Sequence, residues 1–292
     1  MSPVGALKMD FIIETDMKKL FFTAVAALAT LTLSAQTQVI AHRGFHAKEG
    51  SDKNTISSLL NAQQLGVYGS ECDISMSADD SLMVVHGSRH PDRRIPAPHR
   101  VHVTKDVYKD IRAISCEGGN IVPTLREYLV QTKKYPGTKL VIEIKNHKED
   151  TPERQKFFTK KIVEMVAEFG LENQVDYIAF SKVVCDELVK LAPKNEIAYL
   201  NGDLTPAECK QRGYTGIDYS IKVLRTHPEW VKQAHDLGMK VNVWTVNKTE
   251  DIQYFIDLGV DFITTVNPLE TIELINKSQK GNKCKRAKKA RK

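Results

Sequence analysis

Two carboxylates one residue apart, Glu71 and Asp73, stand in the segment Gly69-Ser70-Glu71-Cys72-Asp73-Ile74-Ser75. A third, Glu143, closes the apolar run Leu140-Val141-Ile142, with Lys145 two residues further on. Alternate side chains of a β-strand share a face, so Glu71 and Asp73 point one way and Cys72 the other; Glu143 and Lys145 likewise share a side. Buried without compensation, such a carboxylate pair costs several kcal/mol, so the pattern asks for a cation. The simpler readings are a pair facing solvent or an arginine, and a plain Glu143–Lys145 ion pair. Three carboxylates with no thiol ligand beside them suit one hard, oxygen-seeking divalent cation, Mg²⁺ or Ca²⁺, better than zinc.

Two histidines leave apolar runs: His42 in Ile40-Ala41-His42-Arg43-Gly44 and His86 in Val84-Val85-His86-Gly87. Imidazole titrates near neutrality, so two of them at one site could take and give a substrate's protons. Taken alone, His86 also reads as an edge histidine. The spacings His42-x3-His46 and His86-x3-His90 mimic helical zinc pairs. Both fall in expected loops, without the His-Glu-x-x-His context that a zinc helix supplies.

The elements that must position these groups are legible from the period of the apolar residues. Short β-branched runs are expected as strands at 38–41, 70–75, 139–144, 175–180, 196–200, 216–220, 240–245 and 261–266. Amphipathic stretches between them include 56–65, 125–134, 155–169, 186–191, 228–237 and 249–258, with a weaker one at 206–212 and a last helix at 269–276. Gly66, Gly170, Gly238 and Gly259 end helices just ahead of strands, where a left-handed cap favours glycine. Eight strand–helix alternations over about 240 residues are the arithmetic of an α/β fold of the (β/α)8 TIM-barrel type. A doubly wound open sheet is the competing architecture, but no Gly-x-Gly-x-x-Gly follows the first strand. One connection is much longer than the rest: residues 76–123 form a long insertion after the second strand, with an extra strand expected at 82–85. Such an insertion lies at the carboxyl-terminal mouth, where barrels keep their chemistry.

Composition sets the outer bounds. Of 292 residues, 41% are apolar and 27% charged, which excludes disorder, collagen and a membrane bundle. The net charge of +6 is a tail effect: residues 277–292 contribute +9, residues 1–35 are neutral, and the body is left at −3. A mildly acidic body gives no basis for a nucleic-acid partner. Met17-Lys18-Lys19, the apolar run from Leu20 to Leu33 and Ser34-Ala35-Gln36 have the plan of a secretory signal peptide. Residues 1–35 are therefore read as that peptide, with Met17 an alternative start and an uncleaved anchor the other reading. The expected location is exported, periplasmic or extracellular. Residues 277–292 are read as a basic disordered tail, solvated or resting on anionic surfaces. Five cysteines without Cys-x-x-Cys spacing exclude a zinc ribbon, and buried free thiols are expected. Nothing in the sequence sets an oligomeric state.

Taken in order, His42-Arg43-Gly44, Glu71-x-Asp73, Val84-Val85-His86, Pro123-Thr124-Leu125, Ile142-Glu143-Ile144-Lys145, Trp244-Thr245-Val246-Asn247 and Gly259-Val260-Asp261-Phe262-Ile263-Thr264 resemble the glycerophosphodiester phosphodiesterase family over residues 38–270. The resemblance implies a barrel domain at 36–276, a metal held by Glu71, Asp73 and Glu143, and His42 and His86 as the catalytic acid/base pair. It also implies Arg43 and Lys145 on the phosphate and Trp244 on the pocket wall. The implied reaction is metal-dependent hydrolysis of a small glycerophosphodiester to glycerol phosphate and an alcohol, within lipid and glycerol metabolism. The nucleophile is either water or the glycerol 2-hydroxyl.

Two positions depart from the family pattern: Lys53-Asn54-Thr55 stands for Glu-Asn-Thr, and His86-Gly87 for His-Asp. They leave open a non-catalytic binder of phospholipid headgroups, or the same chemistry on inositol phosphodiesters or lysophospholipids. Arg89, Arg93, Arg94, His99, Arg100 and His102 in the insertion would suit an extra anionic group on the substrate, or form a solvated basic loop. An amidohydrolase-type metal barrel is not expected, because strand 1 ends His-Arg-Gly without His-x-His.

Overall fold

Apolar alternation does close the sheet on itself. The structure, a computed structural model, describes residues 36–87, 102–114 and 116–289. The signal-peptide reading and the basic residues Arg89, Arg93, Arg94, His99 and Arg100 fall outside them. Eight parallel strands form the barrel: β1 (Gln38–Ala41), β2 (Gly69–Met76), β4 (Lys139–Ile144), β5 (Val175–Ala179), β6 (Ile197–Tyr199), β7 (Gly216–Ser220), β8 (Lys240–Trp244) and β9 (Phe262–Thr265). Each pairs with its neighbour, and β1 pairs with both β9 and β2, which closes the ring and excludes the open sheet. The expected strands all form, with ends shifted by at most one residue where they differ.

Each strand sorts its side chains between two cores. Cys72, Ile142, Tyr177, Tyr219 and Val243 face outward into the layer beneath the helices. Ile40, Val141, Ile178 and Leu200 fill the barrel interior. That interior is not uniformly apolar, since Glu71, Asp73, Asp218, Asn242 and Thr264 are buried as well.

The helices are α1 (Ile56–Leu65), α2 (Tyr108–Arg112), α3 (Leu125–Thr132), α4 (Pro152–Glu168), α5 (Lys182–Leu191), α6 (Pro206–Gln211), α7 (Ile221–Thr226), α8 (Glu229–Asp236), α9 (Thr249–Leu258) and α10 (Pro268–Lys289). Two begin earlier than their apolar stripes, for a local reason. Thr151 and Ser181 accept hydrogen bonds from the first-turn amides, so α4 starts at Pro152 rather than 155 and α5 at Lys182 rather than 186. Helix α7 has no counterpart among the expected elements: Ser220 ends β7 and caps α7 at once, leaving no loop to signal it. The last helix also differs from expectation. Its backbone continues past 276 to Lys289, through most of the stretch read as a disordered tail, where Lys, Arg and Ala are good helix formers.

The described parts of the insertion, residues 76–87, 102–114 and 116–123, pack beside β2. Strand β3 (Leu82–Val84) runs antiparallel to β2, and a small satellite core of Met83, Val85, Val103, Ile111, Cys116 and Val122 anchors the segment. Among the described residues, Cys72, Cys185 and Cys209 are buried free thiols, as expected, and Cys116 is buried too. Among the described residues, no helix is long and apolar enough to cross a membrane.

Candidate active site

The register between β2 and β4 assembles the acidic groups. Asp73 and Glu143 are direct partners across the two strands, and Glu71 lies one pleat below Asp73 on the same side. One oxygen from each of Glu71, Asp73 and Glu143 can be chosen so that all three lie within 4.8 Å of one another. Their shared space is mostly dry, with Glu71 at 3%, Asp73 at 0% and Glu143 at 9% exposure. Glu71 Oε1 and Asp73 Oδ1 are buried and accept no hydrogen bond, so the cluster keeps oxygen lone pairs for a cation. An all-carboxylate donor set fits a hard divalent ion.

Strand β1 delivers the first histidine. The His42 amide donates to Thr265 O at 2.8 Å, extending the β1–β9 ladder to the rim and setting His42 above it. The chain then turns through Arg43, at φ 57°, and the Arg43 amide donates to Glu71 Oε2 at 2.8 Å. His42 Nε2 stands 3.9 Å from that same oxygen. The β2–β3 hairpin delivers the second histidine: the Val85 amide donates to Asp73 O at 2.8 Å, and His86 follows. Lys145 comes straight off β4, its Nζ donating to Glu143 Oε1 at 2.6 Å and lying 3.4 Å from Asp73 Oδ1. Arg43 Nε is 3.0 Å from Asp73 Oδ2.

These neighbours set the protonation of the cluster. Burial pushes Glu71 up, and the nearby Asp73 and Glu143 charges add to it. Burial also raises Glu143, to about 7, with Lys145 pulling against it and Asp73 pushing further. Asp73 goes the other way: burial opposes its ionisation, but Lys145 and Arg43 overcome that and hold it below the usual carboxylate range. Lys145 is penalised by burial yet kept above its ordinary value by Glu143 and Asp73. Burial, helped by the Arg43 guanidinium, brings His42 down to about 3, so its imidazole is neutral at pH 7.

A cleft of about 170 Å³ opens over these groups. His42, Arg43, Glu71, His86, Glu143 and Lys145 line one side, and Trp244 with Ile178, Phe180 and Leu200 forms an apolar wall. Trp244 packs edge-on against Phe180 with ring centroids 5.6 Å apart, and its Nε1 donates to Asp218 O at 2.9 Å. Of the eight residues expected at the site, seven line the cleft and the eighth, Asp73, sits behind Arg43 and Lys145.

Two residues escaped the sequence reading. Asn54, fully buried, donates through Nδ2 to Asp73 Oδ2 at 2.8 Å and accepts from the Asp73 amide at 3.2 Å. It stands in Lys53-Asn54-Thr55, where the pattern departs at the neighbouring lysine and the asparagine itself keeps to it. Asp218 lines the cleft from β7. Its signal was an acid at an interior position of a strand whose boundaries were otherwise read correctly. The departures lie apart from the cluster: Lys53 is not among the residues lining the cleft, and Gly87 packs against His147.

Two histidines, two cationic side chains and a carboxylate cluster at the carboxyl-terminal mouth of a closed parallel barrel define a (β/α)8-barrel enzyme. The chain belongs to the glycerophosphoryl diester phosphodiesterase family, whose model it matches over residues 42–270. It is 42% identical to a glycerophosphodiester phosphodiesterase of Parabacteroides distasonis of known crystal structure, with a TM-score of 0.78, covering 84% of this chain and 99% of that one. A glycerophosphodiester phosphodiesterase of Caldanaerobacter subterraneus subsp. tengcongensis is 29% identical over 254 residues, 83% of this chain and 99% of the relative. A phosphodiesterase of Oleispira antarctica, solved in complex with the product sn-glycerol-3-phosphate, shares the fold at 19% identity and a TM-score of 0.72, covering 82% of this chain and 97% of that one.

Proposed function

We propose that the chain hydrolyses glycerophosphodiesters to glycerol phosphate and an alcohol, with one divalent cation, Mg²⁺ or Ca²⁺, held by Glu71, Asp73 and Glu143. The observation that carries this reading is the convergence of three buried carboxylates within 4.8 Å beside two cleft-lining histidines. Bound there, the cation supplies charge neutralisation at the phosphoryl oxygens.

The chain's own side chains do the rest. Arg43 and Lys145 face the cleft and add positive charge where the non-bridging oxygens gain negative charge in the transition state. One of the pair His42 and His86 takes the proton of the nucleophile, and the other gives a proton to the departing alkoxide. Burial keeps the His42 imidazole in its neutral form, with a ring nitrogen lone pair unprotonated at pH 7. Trp244, Phe180 and Ile178 exclude water from the side facing the acids. The Oleispira enzyme's product complex is consistent with glycerol phosphate as the retained product.

Glycerophosphocholine turnover with and without chelator tests the reading. Expected products are glycerol phosphate and choline, lost on chelation and restored by Mg²⁺ or Ca²⁺; a cyclic phosphate would identify the glycerol hydroxyl as nucleophile. Binding without turnover would favour a headgroup binder instead. We further propose that the enzyme works outside the cytoplasm, on the strength of residues 17–36; amino-terminal sequencing of the mature protein checks this, with a start near Gln36 expected.

A further inference from the structure

Part of the wall facing the acidic cluster is polar, beside the apolar Trp244, Phe180 and Ile178, where a barrel interior is normally filled with branched apolar side chains. Around the ring, β7 lies four strands from β2, directly across the barrel. Asp218 on β7, Asn242 on β8 and Thr264 on β9 form a buried strip there, exposed by only 1%, 6% and 4%. Asp218 and Asn242 are register partners, and Asn242 Nδ2 donates to Thr264 Oγ1 at 2.8 Å. The strip is left unsatisfied: Asp218 Oδ1 is buried and has no hydrogen-bond partner, and neither has Asn242 Oδ1. Unmet buried acceptors are costly, so a strip like this is explained by a group that arrives from outside the chain. Asp218 and Thr264 both line the cleft. The strip thus presents a carboxyl oxygen and, since Thr264 Oγ1 already accepts from Asn242, a hydroxyl whose proton is free to donate.

Resting on the function just proposed, we infer that Asp218 and Thr264 form a hydroxyl subsite that reads the free glycerol hydroxyls of the substrate across the cleft from the acidic cluster. A glycerophosphodiester carries its phosphate at one end and two adjacent hydroxyls at the other. A choline headgroup keeps no O–H or N–H donor once its hydroxyl is spent in the ester bond, so on glycerophosphocholine only the glycerol side can satisfy the strip. An acyl chain removes an O–H donor, so the subsite selects deacylated diesters over lysophospholipids and glycerol over simple alkyl groups. Asp218 acts here in specificity, with no part in proton transfer.

The experiment compares kcat/KM for glycerophosphocholine with that for 2-hydroxypropylphosphocholine, the same diester without the terminal hydroxyl, so that both substrates keep the hydroxyl next to the ester. In the wild type the ratio should favour the glycerol substrate by about tenfold or more, since a site built to bond a hydroxyl discriminates strongly against an analogue lacking it. Asp218→Ala should bring the ratio to within about threefold of one, and Thr264→Val should lower it partway. The isosteric Asp218→Asn, which retains an acceptor, should preserve most of it. An unchanged ratio in Asp218→Ala overturns the subsite, however far both activities fall. Titration of the wild type with glycerol 3-phosphate and with propyl phosphate gives a reading without turnover: tighter binding of the glycerol compound supports the subsite, and equal affinity overturns it. Inactivity of the wild type on both diesters would count against the proposed reaction, and the titration then decides the subsite by itself.

Discussion

Asn54 grips Asp73 from two directions, donating to its carboxylate at 2.8 Å and accepting from its backbone amide at 3.2 Å. The same residue ties back to strand β1, because its own amide donates to Arg43 O at 3.0 Å. One residue thus fixes the acid on β2, through its side chain, relative to the loop that carries His42 and Arg43, through its backbone amide. Its φ of 56° lies in the left-handed region, which asparagine tolerates better than most residues. Asn54→Ala leaves buried groups of Asp73 unpaired and should cost about 1–3 kcal/mol of unfolding free energy. Urea denaturation measures it; a change within a few tenths of a kcal/mol would show that the two bonds matter little.

Loss of a carboxylate from the cluster should be felt by the cation. Glu71→Gln keeps the shape and removes the charge, and calorimetry with Mg²⁺ or Ca²⁺ should show at least about tenfold weaker binding. Unchanged affinity would remove Glu71 from the ligand set.

The histidines should behave oppositely. His42→Ala and His86→Ala should each lower kcat by at least about 10²-fold while metal affinity stays near that of the wild type. Near-normal turnover in both variants would refute the acid/base assignment.

Stability of the metal-free protein should fall between pH 6.5 and 8. Burial holds Glu143 at about 7 and, with Glu143 as an added neighbour and a hydrogen bond from Asn242 opposing, Asp218 at about 8. Raised carboxyl values mean that the folded state keeps protons the unfolded chain has released, so stability declines with rising pH up to the folded value. His42, lowered to about 3, has the reverse sign, but its contribution grows only up to the unfolded imidazole value of 6.5 and is constant above it. Thermal melts in chelator should therefore drop across this window, and Mg²⁺ should stabilise more at pH 8 than at 6.5, because it binds ionised carboxylates. A flat profile in chelator would contradict the assignment.

Restoring the family's acid after the second histidine should damage the fold. Gly87 has φ 95°, and a Cβ there would stand 2.7 Å from His147 Cε1. Gly87→Asp should cost about 1–3 kcal/mol from backbone strain and overlap together. Adding His147→Ala should recover only the part due to overlap. Full stability in the single variant would show that the loop simply yields.

Much of the site was legible because strand periodicity is a local property. Glu71 and Asp73 share a face by the pleat alone, and His42, His86 and Lys145 each leave a recognisable apolar run. Asn54 was not legible as an anchor, since its partner lies 19 residues away and only the closure of the β1–β2 loop joins them. Helix α7 escaped because capping began inside the strand.

The order of side chains along each strand, and hence which groups could face the interior, was settled by the sequence, because alternation and capping act between residues a few positions apart. Which groups meet was settled only when the ring closed. The β2–β4 register sets Asp73 beside Glu143, and eight-fold closure turns Asp218 toward them from the far wall. Burial raises the acids while Lys145 and Arg43 pull Asp73 down, which sets them apart in protonation through a shared low-dielectric space that no single segment contains.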